Sequence, residues 1–379
     1  MLSACVTGNI EGMLEPFKES APLGKTMTRS NSLRASRRKA GAYTIHDVAA
    51  LAGVSAITVS RYFNAPEKVS EGLRVKLREI IDRIGYVPSQ VAGGLASGHG
   101  RVVCAVMQNI ASSTFAGLVK GMTDELRASG LQLLLANAQY SRELEEQAIR
   151  TFVGWHPTAL ILTRDDHTPA AEAMLRGLNV PIVEAWGVAE GRPFHQVGFP
   201  NVETGGTLAE HFLEQGATRI QFVMPSNPED FRAEQRARGF AEHMKRAGFT
   251  PHIQVAQHDD EFDAGAFCIA SLAAQAKSTR AQALIFASDN MAAGAILHAE
   301  ECGLSLPRDC AIAGFGDAAF AARLKPALTT LRPARYEIGQ QAARTVLALL
   351  AADPAAKVEM IQELLPCELL VRESSLVHL

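Results

Sequence analysis

Two short stretches with apolar residues at helical spacing flank a Gly-Val-Ser turn near residue 54. Their helix-patterned positions are Ile45, Val48, Ala49 and Ala52 in the first stretch and Ile57, Val59, Ser60 and Phe63 in the second. Gly53 permits a tight turn, and the hydroxyl of Ser55 can cap the second helix. This pattern predicts a helix-turn-helix, whose second helix enters the DNA major groove.

After the turn, the sequence pattern predicts one long amphipathic helix, followed by alternating strands and helices. Helical spacing predicts a third helix from about Glu71 to Ile84. The continuous apolar run Val102–Met107 indicates a strand buried on both faces. Strands and helices then alternate to residue 185, and the pattern restarts at Ile220. Alternation predicts parallel sheets with right-handed crossovers. Two such units in series predict two lobes with a ligand cleft beyond the strand ends.

The fold class that follows is a small all-α helix-turn-helix head joined to a two-lobed α/β body of parallel sheets. The predicted divisions are a disordered extension over residues 1–42, the DNA-binding head over 43–88, a hinge over 89–100, an effector-binding and dimerisation body over 101–372, and a tail over 373–379. Met27 is an alternative start to Met1, and the extension has a second interpretation as an arm that adds DNA affinity.

Charge is distributed unevenly. The formal net charge of the 379 residues is only −3, but the segment 29–101 is strongly basic. Its basic residues are Arg29, Arg34, Arg37, Arg38, Lys39, Arg61, Lys68, Arg74, Lys76, Arg78, Arg83 and Arg101, against Asp47, Glu67, Glu71, Glu79 and Asp82. A basic head on a near-neutral body is typical of a protein that contacts DNA phosphates through that head.

Other motifs narrow the class of protein. None of the six cysteines is paired at metal-ligand spacing, so we expect no metal, no cofactor and a reducing compartment. There is no apolar run of membrane-spanning length and no secretion signal, which favours a cytoplasmic protein with no membrane partner. No Gly-x-Gly-x-x-Gly motif follows the first strand, and a nucleophile elbow is missing, which disfavours an enzyme. The head disfavours a transport-type sugar-binding protein.

Ordered motifs over residues 43–372 resemble the lactose-repressor (LacI) family of transcription regulators. The head reads Thr44-Ile-x-Asp-Val-Ala-x-x-Ala-Gly-Val-Ser-x-x-Thr-Val-Ser-Arg61, and the body carries Arg236-Ala-Arg-Gly-Phe240 and Asp289-Asn-Met-Ala-Ala-Gly294. A closer likeness, to gluconate-utilisation repressors, lies in Leu160–Pro169. The resemblance implies a body like periplasmic binding proteins, repressor activity on double-stranded operator DNA, and a homodimer. A tetramer stays open, although no leucine heptad follows residue 372.

The resemblance also implies which residues touch DNA. Those at the start of the recognition helix are Ser55, Ala56, Ile57, Thr58, Ser60 and Arg61. Arg61 can donate two hydrogen bonds to guanine. Ile57 has two interpretations, contact with a thymine methyl or a position in the core of the head, and we favour the first. We expect Thr44, Ser55, Thr58 and Asn64 to touch phosphates.

Residues 89–97 resemble the family's hinge helix, in which a leucine wedges the central base step of the operator. That leucine corresponds to Leu95 here. The adjacent Gly93 and Gly94 lower helix propensity by about 1 kcal/mol each. The alternative is therefore a plain flexible linker.

The family anchors its effector through an arginine that corresponds to Arg236. Arg232 lies on the same predicted helix face, with a solvated surface residue as the alternative. Gly316 stands where the family usually has an aspartate that binds neutral sugars, so we expect a sugar acid such as gluconate, a ketogluconate or a phosphogluconate. A neutral sugar or a sugar phosphate is the alternative. Further cleft candidates are Phe115, Thr163, Arg164, His167, Glu184, Asn201 and Asp289. Glu184 would oppose an anion if it faced the acid group.

Overall fold

The computed structural model describes residues 43–88, 101–110, 112–353 and 358–376, and the chain divides into two compact units after Pro88. The predicted extension and hinge, including Leu95, lie outside the described residues. Within the part described, we find no helix long and apolar enough to cross a membrane.

The head is a three-helix unit around a small apolar core. Its helices are α1 (Ile45–Ala52), α2 (Ala56–Asn64) and α3 (Glu71–Ile84), with a short 3₁₀ turn at Pro66–Lys68. Val48, Val59 and Leu77 are completely buried where the three helices meet. Gly53 ends α1 with φ +71°, and the hydroxyl of Ser55 caps α2 by accepting the Thr58 N–H at 3.3 Å. These two residues make the turn that the sequence predicts.

The first lobe of the body is a six-stranded parallel sheet covered by helices. Its strands lie in the order β11-β5-β4-β3-β1-β2. They are β1 (Val102–Met107), β2 (Gln132–Asn137), β3 (Ala159–Leu162), β4 (Ile182–Gly187), β5 (His195–Phe199) and β11 (Gln362–Leu364). Its helices are α4 (Ser113–Ala128), α5 (Arg142–Val153), α6 (Pro169–Arg176) and α11 (Arg335–Ala351), which packs against α4. The buried strands explain the continuous apolar runs.

The second lobe repeats this design with one antiparallel edge strand. Its order is β12-β10-β9-β8-β6-β7, and β12 runs antiparallel to β10. The strands are β6 (Ile220–Met224), β7 (His252–Val255), β8 (Ala283–Phe286), β9 (Ala311–Phe315), β10 (Thr329–Pro333) and β12 (Cys367–Leu370). The helices are α7 (Asn201–Glu214), α8 (Phe231–Arg246), α9 (Glu261–Ala273) and α10 (Asp289–Ala299), with 3₁₀ turns at Ala321–Arg323 and Glu373–Ser375.

The chain passes between the lobes three times, so they are interleaved rather than in series. It crosses after β5, returns after β10 to form α11 and β11, and crosses again between Leu364 and Cys367. The last two strands, β11 and β12, are adjacent in the chain but lie in different sheets. The structure also places part of the predicted tail inside the second lobe. Ser374 and Ser375 are buried there, and the Ser374 hydroxyl donates to the Ile312 carbonyl at 2.6 Å.

Candidate functional site

The outward face of α2 carries Ile57 and Arg61 of the side chains that the sequence assigns to base reading, whereas Ala56 packs against the head's core. Ile57 is 65% exposed, whereas Val59, two residues on, is completely buried. Arg61 and Asn64 follow Ile57 at helical spacing and are also exposed. Ile57 is therefore not a core residue of the head, and its methyl groups are free to meet a thymine methyl.

Polar side chains at the helix ends hold the head's geometry. The Thr44 hydroxyl donates to the Asp47 carboxylate at 2.7 Å, and that carboxylate also accepts the Thr44 N–H at 2.8 Å. The hydroxyls of Ser55 and Thr58 lie 2.9 Å apart, and the Asn64 amide donates to Ser60 Oγ at 3.3 Å. A hydroxyl bonded to one partner keeps acceptor lone pairs. Phosphate contact by these residues stays a prediction.

A cavity of about 240 Å³ lies between the two lobes of the body. The first lobe contributes Asn109, Ser112, Thr114, Phe115, Tyr140 and Trp186. The second lobe contributes Asp230, Arg232, Arg236, Glu261, Ala287, Ser288, Asp289, Asn290, Phe315 and Ala318. Most follow the carboxyl ends of strands or begin helices, as expected for a ligand site in parallel α/β sheets. The volume suits a ligand smaller than the drug-sized molecules found in pockets of about 300–1,000 Å³.

Arg232 extends from α8 in the second lobe to the first lobe. Its side chain is buried, with the residue only 3% exposed, and its guanidinium donates to the Thr163 carbonyl. The guanidinium carbon lies 5.1 Å from the Phe115 ring centre and 5.9 Å from that of Trp186. The alternative of a solvated surface residue is therefore wrong.

Arg236 lies one turn further along α8 and is 5% exposed. Its guanidinium donates to Asn201 Oδ1 at 3.2 Å and to the Ala287 carbonyl at 3.1 Å, and it stacks 4.0 Å from the Phe315 ring centre. The Nε atom has no hydrogen-bond partner. Arg236 thus lines the cavity and keeps a buried Nε–H without a hydrogen-bond partner.

The two buried arginines share an unusual electrostatic state. Among the described residues, neither has a carboxylate within ion-pair distance, in contrast to the buried Arg164 and to Arg192 and Arg372, which are ion-paired. Burial lowers the pKa of both guanidiniums, but arginine stays protonated in proteins. Asp230 attracts both charges from beyond ion-pair distance, so a counter-charge in direct contact with either guanidinium would have to come from a ligand.

Three carboxyl groups complete the polar lining. Asp230 caps α8 by accepting the Ala233 N–H at 3.1 Å. Glu261 accepts the Asn290 amide at 2.7 Å, and burial raises its pKa. Asp289 accepts the Thr330 hydroxyl and the Ala318 N–H, both at 2.6 Å, and burial raises its pKa to about 6. The cavity therefore offers two cations and three hydrogen-bond-accepting acids.

Gly316 is adjacent to this lining without being part of it. Its φ is +125°, and a Cβ added there would lie 3.0 Å from Thr114 Oγ1. The next residue, Asp317, points its carboxylate to Arg332 and Arg372, each at 2.7 Å. A carboxylate that is paired with two arginines is unavailable to a sugar in the cavity, so no acidic side chain from this loop enters the site.

Like Gly316, the candidates Arg164, Glu184, Thr163, Asn201 and His167 lie outside the lining. The Arg164 guanidinium stacks 4.7 Å from the Phe231 ring centre and is ion-paired with Asp166. Glu184 is buried in an ion pair with Arg192. Since Glu184 does not face the cavity, its charge does not oppose an anion there. Thr163 contributes its carbonyl to Arg232, Asn201 accepts from Arg236, and His167 is buried near Glu184.

Sequence reasoning missed several lining residues on the first lobe. Tyr140 and Trp186 adopt positive φ angles of 65° and 93°, which are uncommon for non-glycine residues. Trp186 packs 4.9 Å from Phe115, centre to centre, and forms an aromatic wall. The sequence indicated these residues only by their place near the carboxyl ends of strands. Tyr140 follows β2, and Trp186 lies at the end of β4.

Comparisons with known proteins agree with these two units. Residues 44–89 match the model for bacterial regulatory proteins of the lacI family, and residues 209–375 match a periplasmic binding protein-like domain. The HTH-type transcriptional regulator GntR of Pseudomonas aeruginosa is 31% identical over 317 residues, which cover 83% of this chain and 91% of that protein. GntR of Escherichia coli K12 is 26% identical over 309 residues, or 82% and 92% of the two chains.

A solved structure of a transcriptional regulator has the same fold. The crystal structure of a LacI-family transcriptional regulator from Silicibacter pomeroyi matches with a TM-score of 0.80 and 27% identity, over 89% of this chain and all of that chain. The predicted fold class, a helix-turn-helix head with a two-lobed parallel α/β body, is confirmed. These relatives are transcription regulators and not enzymes. The chain therefore belongs to the LacI family of bacterial transcriptional regulators.

Proposed function

We propose that this regulator is an operator-binding repressor of carbohydrate metabolism whose cavity binds a sugar acid such as gluconate, a ketogluconate or a phosphogluconate. The observation that carries the proposal is the pair Arg232 and Arg236, both buried in one cavity without a carboxylate partner among the described residues. An anionic ligand would supply a counter-charge in direct contact with these guanidiniums.

The rest of the lining fits the hydroxyl groups of such a ligand. Arginine can grip a carboxylate through two parallel hydrogen bonds. Asp230, Glu261 and Asp289 can accept hydrogen bonds from hydroxyl groups. The aromatic wall of Phe115 and Trp186 can pack on C–H groups of the carbon chain. The three acids also make a neutral sugar the second candidate, since acids bind hydroxyls without needing an anion.

Effector binding can reach the DNA only if the two states of the body bind the ligand differently. Arg232 supplies such a difference, because it extends from the second lobe to the Thr163 carbonyl of the first. A ligand on Arg232 would therefore favour closed lobes. In this proposal, closure changes how the two heads of a dimer reach the operator, and Leu95 of each hinge wedges its central base step.

The dimer surface in this proposal is formed by one edge of each sheet. The last strand of each sheet, β2 and β7, is an edge strand. Leu134, Leu135, Ile253 and Val255 on these strands are exposed. Exposed apolar side chains on open edges favour pairing with another chain, and we propose a second copy as that partner. A tetramer remains the alternative.

Replacing Arg61 with Ala tests the DNA half of the proposal. We expect Arg61→Ala to cost about 1–3 kcal/mol on a palindromic operator and to relax base preference, because a bidentate contact to guanine is lost. Fluorescence anisotropy with operator and scrambled DNA measures both quantities, and gluconate should release the wild type. Arg78→Ala, at an exposed arginine on α3, is the matched control for lost charge and should keep base preference. Equal affinity and preference in Arg61→Ala and wild type would contradict base reading.

A further inference from the structure

A buried histidine joins two carboxylates behind the cavity. The His167 side chain has no exposed surface, and its ring nitrogens lie 2.8 Å from Glu145 Oε2 and 3.2 Å from Glu184 Oε1. An ionised carboxylate only accepts, so with both acids ionised both ring nitrogens donate and the ring is an imidazolium. Burial by itself would lower the pKa of His167, but the hydrogen bonds to Glu145 and Glu184 raise it to about 9.

The two carboxylates differ in how much they depend on His167. Glu184 on β4 is also paired with Arg192, whose Nε lies 3.1 Å from both of its oxygens, and it accepts the Gln196 amide at 3.0 Å. Glu145 on α5 is completely buried, and its Oε1 has no hydrogen-bond partner. The His167 side chain therefore links Glu145 of α5 to Glu184 of β4.

His167 also ends the loop that receives Arg232. The loop 163–167 follows β3 and begins with Thr163, whose carbonyl accepts the Arg232 guanidinium. At the other end, the His167 carbonyl accepts the Arg142 guanidinium of α5 at 2.7 Å. The same part of α5 contacts the second lobe, because the Arg142 N–H donates to Glu229 at 3.2 Å. The loop is thus fixed to α5 at the place where the lobes touch.

We propose that His167 is a positioning residue for effector binding. By joining Glu145 on α5 to Glu184 on β4, it holds loop 163–167 where the Thr163 carbonyl can seat Arg232 across the lobe boundary. The inference rests on the proposed function in one respect only, namely that Arg232 binds the anion of the effector. The placement of Arg232 itself is testable without any ligand.

Trp186 provides the ligand-free test. The chain has two tryptophans, and Trp155→Phe leaves Trp186, whose ring centre lies 5.9 Å from the Arg232 guanidinium, as the only one. In this background we expect His167→Gln to change Trp186 emission in the same direction as Arg232→Met. His167→Gln should add nothing to Arg232→Met. His195→Gln is the matched control, since this first-lobe histidine bonds the Ile361 N–H instead, and should leave emission unchanged. Unchanged emission in His167→Gln would overturn the inference.

Calorimetry with gluconate gives the second test. We expect His167→Gln to weaken gluconate binding about 3- to 30-fold, the range for residues that act through a neighbour. In the Arg232→Met background it should cause no further loss, because a positioning residue acts only through the residue it positions. An equal loss in both backgrounds would show a merely structural role. If the wild type binds no gluconate, the proposed effector fails, and the Trp186 test still decides this inference.

A second variant covers the case in which His167→Gln does not fold. Glu145→Ala breaks the same link without leaving a buried carboxylate unpaired. It should reproduce the Trp186 change and the Arg232-dependent loss of affinity. Glu145→Gln keeps both hydrogen bonds to a neutral imidazole and should restore both readouts toward the wild type. A Glu145→Ala protein with wild-type emission and affinity would overturn the proposal.

Discussion

Replacing Arg236 with Met is expected to weaken gluconate binding by at least about 30-fold, because truncating one partner of a buried, hydrogen-bonded charge pair costs about 2–5 kcal/mol. Methionine keeps much of the volume beside Phe315 but removes the charge and the donors to Asn201 and Ala287. Operator affinity without effector should stay close to the wild type, since Arg236 lies in the body and not in the head.

The same helix offers a matched control for this variant. Arg238 is two residues away, but its side chain is 63% exposed and lies 3.7 Å from Glu242. Arg238→Met should leave gluconate binding unchanged in the same calorimetric titration. If Arg236→Met bound gluconate as tightly as Arg238→Met, Arg236 would not be the anion anchor.

Replacing Gly239 with Ala should destabilise the body by about 3 kcal/mol or more, at the upper end of overpacking costs. A Cβ there would lie 1.6 Å from the Val202 carbonyl oxygen, so α7 and α8 would have to separate. Gly205 makes the reciprocal contact, since a Cβ added there would lie 1.9 Å from the Arg236 carbonyl oxygen. This close crossing fixes the depth of α8 and therefore the position of Arg236.

Gly206 is the natural comparison for the glycine substitutions. The nearest atom to its added Cβ is His243 Nδ1 at 3.4 Å, an ordinary contact. Gly206→Ala should therefore be neutral or slightly stabilising, since alanine favours the helix by about 1 kcal/mol. Urea unfolding of the two variants and the wild type measures the difference. Similar stability of Gly239→Ala and Gly206→Ala would refute the close crossing.

The elements predicted best from sequence are those with an unbroken pattern. The strand at Val102–Met107 and the helix at Glu71–Ile84 have the predicted bounds. The first is buried on both faces, and the second has one apolar face, so local pattern and tertiary burial agree. The helix-turn-helix of the head could also be predicted from the sequence. Gly53 ends α1 and Ser55 caps α2, and both roles depend on few distant contacts.

The missed elements depend on contacts that a local pattern does not contain. The strand at His195–Phe199 begins with polar residues, and Gln196 is buried because it bonds Glu184 and the β11 residue Gln362. The helix at Asn201–Glu214 contains two adjacent glycines, which lower helix propensity, yet one of them is needed for the crossing with α8. Neither the strand nor the helix stands out in a single sequence.

Only part of the candidate site could be predicted from the sequence, because it too depends on contacts between residues that are distant along the chain. Arg236 followed from a motif, and its burial could not be known before α8 was placed against the cavity. Asp317 lies one residue after Gly316 but is turned toward Arg332 and Arg372, so sequence position alone does not say which carboxylate faces a ligand. Glu261 and Asp230 line the cavity because of how α9 and α8 pack. No sequence motif predicts that placement.

The most direct test of the account compares two ligands that differ at one carbon. Gluconate and glucitol share the same hydroxylated chain, but only gluconate carries a carboxylate. Calorimetric titration of the wild-type protein at fixed salt should show gluconate binding at least about 30-fold more tightly, since only its anion can pair with the buried Arg232 and Arg236. Glucitol or glucose binding as tightly as gluconate, with no preference for the acid, would contradict the central claim that this cavity recognises a sugar acid.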